Sequence, residues 1–127
     1  MKKIKSFLFG LGDIGLNYDY SFKKNLFLTH AKSLNFHNKY KLVGVYDINT
    51  KQNKKFEKKY QLKINKNYKS NILNTKPDLI IIATPTKTHK ILIEDILSFY
   101  KPKIIVCEKP LSYSLSDSEL IMNLCKK

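Results

Sequence analysis

The chain has 127 residues, a mass of 14.9 kDa and a formal charge of +14. That length suits one domain, residues 1–127, and 43% hydrophobic with 27% charged residues is globular composition, which excludes a disordered chain. No apolar run reaches the ~18 residues of a membrane span, and Cys107 and Cys125 make no metal spacing with the three histidines.

In chain order, the apolar run Ile4 to Phe9 reads as a strand that stops at Gly10. Leu16 to Lys23 reads as a loop, and Lys24 to Phe36 as a loosely amphipathic helix carrying Leu26, Ala31 and Leu34. Tyr40 to Tyr46 is a second strand. Asn49 to Tyr60 is a lysine-rich helix with Asn49 as N-cap and Phe56 and Tyr60 on one face. A weaker, shorter strand is placed near Leu62 to Ile64. Pro77-Asp78 turns the chain into Leu79 to Ala83, the strongest strand because it is apolar throughout. Thr88 to Tyr100 is a helix with Ile91, Leu92, Ile96, Phe99 and Tyr100 on a stripe, ended by Lys101-Pro102. Lys103 to Cys107 is the fourth strong strand. Ser116 and Glu119 have the capping-box spacing and open a last helix, Leu120 to Cys125. Continuous apolar runs are strands covered on both faces, and strands alternating with helices point to a doubly wound parallel α/β sheet.

The charge argues less than its size suggests. All 24 basic residues are lysines, and Ile and Asn are abundant while Ala, Gly and Pro are scarce. Lys, Asn, Ile, Tyr and Phe have A/T-rich codons, so codon bias accounts for most of the lysine. The guanidinium fork that base-reading proteins favour is missing, which argues against a specific nucleic-acid partner. Met1-Lys2-Lys3 is followed by an apolar stretch of only Phe7 to Phe9, too short for an export signal, so a cytoplasmic setting is expected, with Cys107 as a buried thiol.

Chemistry concentrates at strand ends. Gly10-Leu11-Gly12-Asp13-Ile14-Gly15 is G-x-G-x-x-G directly after the first strand, the context of a dinucleotide fingerprint. Gly10 permits a tight turn, Gly12 a close approach of pyrophosphate, and Gly15 close packing of the following helix, whose N-terminus faces the phosphates. Asp47 ends the second strand and suits an adenosine ribose, favouring NAD over NADP; it lies beyond the usual spacing, which the Leu16 to Lys23 loop explains. Lys51, Lys54 and Lys55 stand nearby as 2′-phosphate partners or, preferably, as a solvated helix face. Thr84-Pro85 ends the strongest strand and borders either a cofactor crevice or an ordinary strand-to-helix turn. Glu108-Lys109-Pro110 closes the fourth strand, where a lysine ammonium can hydrogen-bond a substrate hydroxyl and stabilise a developing alkoxide.

Taken in order, Gly10-x-Gly12-x-x-Gly15, Asp47, Ala83-Thr84-Pro85-x-x-x-His89 and Glu108-Lys109-Pro110-Leu111 resemble the N-terminal domain of the glucose–fructose oxidoreductase/inositol dehydrogenase (Gfo/Idh/MocA) family, from about Lys3 to the chain end. The Tyr18-Asp19 and Thr29-His30-Ala31 stretches are similar to a subset with a lengthened first-helix region. The resemblance implies a Rossmann domain binding NAD, with NADP as the alternative. It implies cofactor contacts from Gly10, Gly12, Asp13, Ile14, Gly15, Asp47, Thr84, Pro85, His89, Glu108, Lys109 and Pro110. Lys109 is the implied catalytic residue, with the peptide before Pro110 cis; His89 is given a structural role ahead of proton transfer. Family members run to over twice this length, and their second domain supplies most contacts to a sugar, nucleotide-sugar or cyclitol substrate. The expectation is therefore a cofactor-binding domain without turnover, lacking the sixth strand and the C-terminal domain. The alternatives are a stand-alone nucleotide-binding module and, behind it, a basic nucleic-acid binder. A homodimer through an exposed Ile104–Cys107 edge, or through the last helix, is also expected.

Overall fold

The computed structural model describes residues 1–21 and 25–127. Four strands form one parallel sheet in the order β2-β1-β3-β4: β1 is Ile4–Phe9, β2 Tyr40–Tyr46, β3 Leu79–Ile82 and β4 Ile104–Cys107. Parallel pairing needs long crossovers, and helices supply them. They are α1 (His30–Phe36), α2 (Thr50–Tyr60), α3 (Tyr68–Thr75), α4 (His89–Phe99) and α5 (Leu115–Lys126).

Alternation along the strands sorts the core into two layers. Leu8, Leu79 and Ile81 join Ala31, Leu34 and Phe56 on one face. Phe7, Phe9, Ile80 and Ile82 join Ile72, Ile93, Ile96 and Ile121 on the other. Both faces of β1 from Ser6 onward and of β3 are therefore dry, with residues 79–82 all buried. Between Ser6 and Phe7 the β1–β2 register slips by one residue, so Leu42 and Val45, three apart, serve the same face.

Four differences from the sequence reading have local causes. Leu62 to Ile64 is not a strand: Gln61 caps α2 in a left-handed conformation, and the Ile64 amide is taken by Glu57 Oε1 at 2.7 Å instead of by a neighbouring strand. Leu62 and Ile64 still pack against the first layer. α1 starts at His30, because the Leu28 and Thr29 amides are captured by the Asp19 carboxylate and Thr29 then caps the helix. Phe22, Lys23 and Lys24, assigned to the loop and helix start, lie outside the described residues. α5 starts at Leu115, because Ser114 rather than Ser116 accepts the capping bond, from the Asp117 amide at 3.2 Å. α3 has no counterpart in the sequence reading; Asn67 caps it and Ile72 alone anchors it deeply.

Candidate functional site

Three backbone bonds carry the ladder one residue beyond the strands. Gly10 N–H donates to the Tyr46 carbonyl at 2.9 Å, Ala83 N–H to Phe9 at 2.7 Å, and Glu108 N–H to Ile82 at 2.9 Å. Gly10, Asp47, Thr84 and Glu108 thus leave the sheet along one edge. The chain moves outward from β1 to β2 and the other way from β3 to β4, so the crevice between the β1 and β3 ends is the topological switch point.

The three glycines meet three different demands. Gly10 has φ +94°, and a side chain there would sit 2.8 Å from the Thr84 amide and nearer still to the Ala83 carbonyl. Only glycine lets the β1 and β3 ends lie this close. Gly15 is pressed on the Gly10 carbonyl group in the same way. A side chain on Gly12 would meet nothing within 4 Å. Gly12 is therefore spared a Cβ where the fold does not need it to be, which leaves an open cradle over the turn.

The helix expected after the glycines is a single turn, and it takes in Leu16 and Asn17, which the sequence reading placed in a loop. Residues Asp13–Asn17 make one wide helical turn, with Leu16 and Asn17 amides on the Gly12 carbonyl at 2.8 and 3.0 Å and Tyr18 on Asp13 at 3.0 Å. The first amides of that turn, those of Asp13, Ile14 and Gly15, have no acceptor within it and are available to an anion. Asp13 and Ile14 are exposed.

Asp47 ties this loop to its own. Its Oδ2 accepts the Leu11 amide and its Oδ1 the Asn49 amide, each at 2.7 Å. Each oxygen keeps a lone pair for a hydroxyl. α2 completes the clamp with Gln52, which the sequence reading missed, and with Lys55 in a different role from the one read for it. Gln52 Nε2 donates to the Leu11 carbonyl and, at 3.1 Å, to Asn17 Oδ1. Lys55 Nζ donates to the same Asn17 oxygen at 2.7 Å, which removes it from the set of 2′-phosphate partners; Lys51 and Lys54 stay exposed. A polar residue three positions after a helix N-cap was the only available signal for Gln52.

Beside Asp47 opens a cavity of about 510 Å³ walled by Tyr46, Ile48, Thr84, Pro85 and Ile91. Ile48 and Ile91 are 90% and 69% exposed, so two branched apolar side chains stand in water at its mouth. Across the crevice, Thr88 Oγ1 lies 2.7 Å from Thr84 Oγ1 and from the Pro85 carbonyl. His89 is 1% exposed, with Nε2 at 2.8 Å from the Thr84 carbonyl and Nδ1 at 3.1 Å from that of Leu111. Its ring is spent on joining the loop after β3 to the loop after β4.

On the far side, the Lys109–Pro110 peptide is cis. Lys109 is exposed, and its ammonium has no partner among the described residues. Glu108 Oε1 lies 2.6 Å from His30 Nε2, the first residue of α1. Cys107, one residue earlier, is half-buried, and burial, reinforced by the nearby Glu108 charge, pushes its thiol up to about 11. It is no nucleophile at neutral pH.

A family model, the Gfo/Idh/MocA oxidoreductase family with an NAD-binding Rossmann fold, matches residues 23–127. The chain belongs to this family. As such it is an NAD-binding Rossmann domain. The match starts beyond the glycine turn, so the geometry of residues 10–15 is independent of it. Among solved structures, the chain is similar to an NAD-binding protein from Listeria innocua (28% identity, TM-score 0.75, 99% of this chain and 32% of that one). It is also similar to the WlbA dehydrogenase from Bordetella pertussis in complex with NADH and UDP-GlcNAcA (18%, TM-score 0.77, 98% and 32%). A third is myo-inositol 2-dehydrogenase from Lactobacillus plantarum (23%, TM-score 0.73, 98% and 33%). The chain spans about a third of the length of these structures. No curated protein matches it. No helix among the described residues is long and apolar enough to cross a membrane.

Proposed function

We propose that these residues form the cofactor half of the active site of an oxidoreductase that moves hydride between a nicotinamide dinucleotide and a hydroxyl or carbonyl carbon of a sugar, nucleotide sugar or cyclitol. The observation that carries the reading is the open cradle at Gly12, set between two carboxylates, Asp47 and Glu108, at one sheet edge. The residues present fit the dinucleotide. Free amides of the glycine turn take the pyrophosphate. Asp47 takes the adenosine ribose, and the apolar mouth at Ile48 and Ile91 takes the adenine. Thr84 and Pro85 border the path to β4, where Glu108, Lys109 and Pro110 meet the nicotinamide riboside. His89 supports this wall from behind.

The dinucleotide, when bound, supplies the hydride acceptor or donor. Lys109 does the protein's part: its ammonium hydrogen-bonds the substrate oxygen and stabilises the negative charge that develops there during hydride transfer. An unpartnered ammonium at the end of a rigid strand costs little to reorganise for that task. The Asp47 carboxylate repels a 2′-phosphate, so NAD is the preferred cofactor. On this reading the isolated chain binds cofactor without turnover. The exposed β4 edge, with Ile104 58% and Val106 42% accessible, is read as a pairing surface for a second copy. The reading takes a cytoplasmic setting, with Cys107 and Cys125 as free thiols.

Thermal unfolding during NAD⁺ and NADP⁺ titrations tests this. NAD⁺ should raise the midpoint at lower concentration than NADP⁺; no shift with either nucleotide overturns the reading.

A further inference from the structure

A dinucleotide carries one ribose diol on each side of its pyrophosphate. The sheet edge offers one carboxylate on each side of the Gly12 cradle, Asp47 after β2 and Glu108 after β4. The two are held differently. Asp47 is fixed by backbone amides from its own and the adjacent loop. Glu108 is fixed by a single side chain, His30, 78 residues earlier in the chain. The contact places the imidazole Nε2 2.6 Å from the carboxylate oxygen, with Nε2 as donor and Oε1 as acceptor the pairing that suits the two groups.

Two features separate this contact from an incidental surface pair. First, the other ion pairs among the described residues join lysines to aspartates: Lys69–Asp95, Lys90–Asp117 and Lys103–Asp78. Glu108 instead takes an imidazole while the adjacent Lys109 stays uncommitted. Second, His30 stands on a braced support. Asp19, fully buried, accepts from the Leu28 amide at 2.6 Å, the Thr29 amide at 3.0 Å and the Thr29 hydroxyl at 2.7 Å. Thr29 then caps α1. An unbroken series of bonds runs from Asp19 through Thr29 to His30 and Glu108, ending beside Lys109.

We propose that His30 is a positioning residue for the nicotinamide half of the site. It ties up Glu108 Oε1, leaves Oε2 free to accept from the second ribose, and keeps the carboxylate from collapsing onto the Lys109 ammonium. This rests on the dinucleotide reading above. Asp19 and Thr29 thereby support the site, because they set where α1 and its first residue, His30, begin.

The test compares NADH with ADP, which carries the adenosine ribose and pyrophosphate but no second ribose. Affinities are measured by calorimetry on the chain and on His30→Ala, His30→Gln, Glu108→Gln and the His30→Ala/Glu108→Gln double variant. His30→Ala should weaken NADH about 5- to 10-fold and leave ADP within about twofold, the range of one charge-assisted hydrogen bond. His30→Gln, whose Nε2 can donate from a similar place, should recover most of the loss. Glu108→Gln should match His30→Ala, and the double variant should lose no more than either. Equal weakening of both ligands makes His30 merely structural and overturns the proposal. Unchanged NADH affinity in His30→Ala, or a wild type that gains nothing from NADH over ADP, overturns it as well. If the wild type binds neither ligand, the dinucleotide reading itself falls first. Should His30→Ala not fold, Glu108→Gln and His30→Gln still decide between these outcomes.

Discussion

Replacing each glycine of the turn by alanine separates what the fold needs from what a ligand needs. At Gly12 the backbone has φ −75° and a methyl group meets nothing within 4 Å. Such a substitution restricts the unfolded chain and stabilises the protein by about 0.4–1 kcal/mol. The same methyl group occupies the cradle, so NAD⁺ affinity should fall at least about tenfold. At Gly10 the effect reverses. A left-handed φ of +94° costs an alanine about 1–2 kcal/mol. Overlap with the Ala83–Thr84 backbone, which sits at the end of a buried strand and cannot step aside, adds about 1–3 kcal/mol. The sum is about 2–5 kcal/mol, a large share of a typical domain stability of about 5–15 kcal/mol. Gly15→Ala, pressed on the Gly10 carbonyl, belongs with Gly10 through the overlap contribution alone. Urea unfolding of the free chain gives the stability differences. Repeating it at an NAD⁺ concentration of 100 Kd should add about 2.7 kcal/mol to the wild type. Gly12→Ala should lose most of that increment without losing free-state stability. A Gly12→Ala chain that binds NAD⁺ like the wild type, or a Gly10→Ala chain within about 1 kcal/mol of it, would refute the reasoning.

Three further outcomes follow from groups outside the turn. Burial pushes the Asp19 carboxyl up, but bonds from Thr29 and Leu28, with the Lys32 charge, outweigh it and hold the group below its ordinary value. A lowered carboxyl stabilises the fold above the usual carboxylate range and loses that contribution as pH falls through the folded value. Asp19→Asn should therefore cost about 2–4 kcal/mol at pH 7, with the gap to wild type narrowing below about pH 4 in urea titrations; a constant gap would contradict the assignment. Tyr60 keeps a buried hydroxyl without a partner among the described residues, and burial, with the charges of Asp19 and Tyr20, pushes it up to about 12. Tyr60→Phe should be neutral or stabilising by up to about 1–2 kcal/mol, and a loss of more than about 1 kcal/mol in thermal or urea unfolding would show a hidden bond. Val106→Lys on the β4 edge should lower self-association in sedimentation at high concentration; a wild type that stays monomeric throughout defeats the dimer reading.

The parts of the fold visible in the sequence are those decided locally. β1 and β2 run as their apolar stretches do, and Asn49 caps α2, because each signal lies within a few residues of its effect. The site loops were legible for the same reason: a glycine, an acid or a proline directly after an apolar run marks a strand end. What was not legible depends on distant partners. Nothing near Leu62 says that Glu57 will take the Ile64 amide and prevent a strand. Leu26 fits a helical stripe, yet it lies 42% exposed before α1 because a carboxylate at position 19 claims the Leu28 and Thr29 amides ahead of the helix. α3 hides because one deep contact, Ile72, is too little to make a stripe. The His30–Glu108 bond spans 78 positions and has no local trace at all.

The lysines make the same point about context. Lys55 and Lys59 lie over the Tyr20 ring at 4.4 and 4.5 Å, and Lys59 also donates to the Tyr20 carbonyl. The Tyr20 hydroxyl in turn donates to the Lys55 carbonyl at 3.0 Å. Two residues of a run that looks like solvated surface thus hold the loop after Gly15 onto α2, one position from Asp19. Lys5 closes the opposite edge of the sheet on the Thr75 carbonyl at 2.7 Å. A formal charge of +14 is therefore partly structural: cation–π and carbonyl contacts absorb lysines where acids are few. Lys109 is among the lysines that stay without a partner among the described residues. Glu108 is occupied by His30, and no described carbonyl or ring lies against its ammonium. On the proposed reading, what sets Lys109 apart is its place: it follows a strand end, beside a carboxylate that His30 already engages.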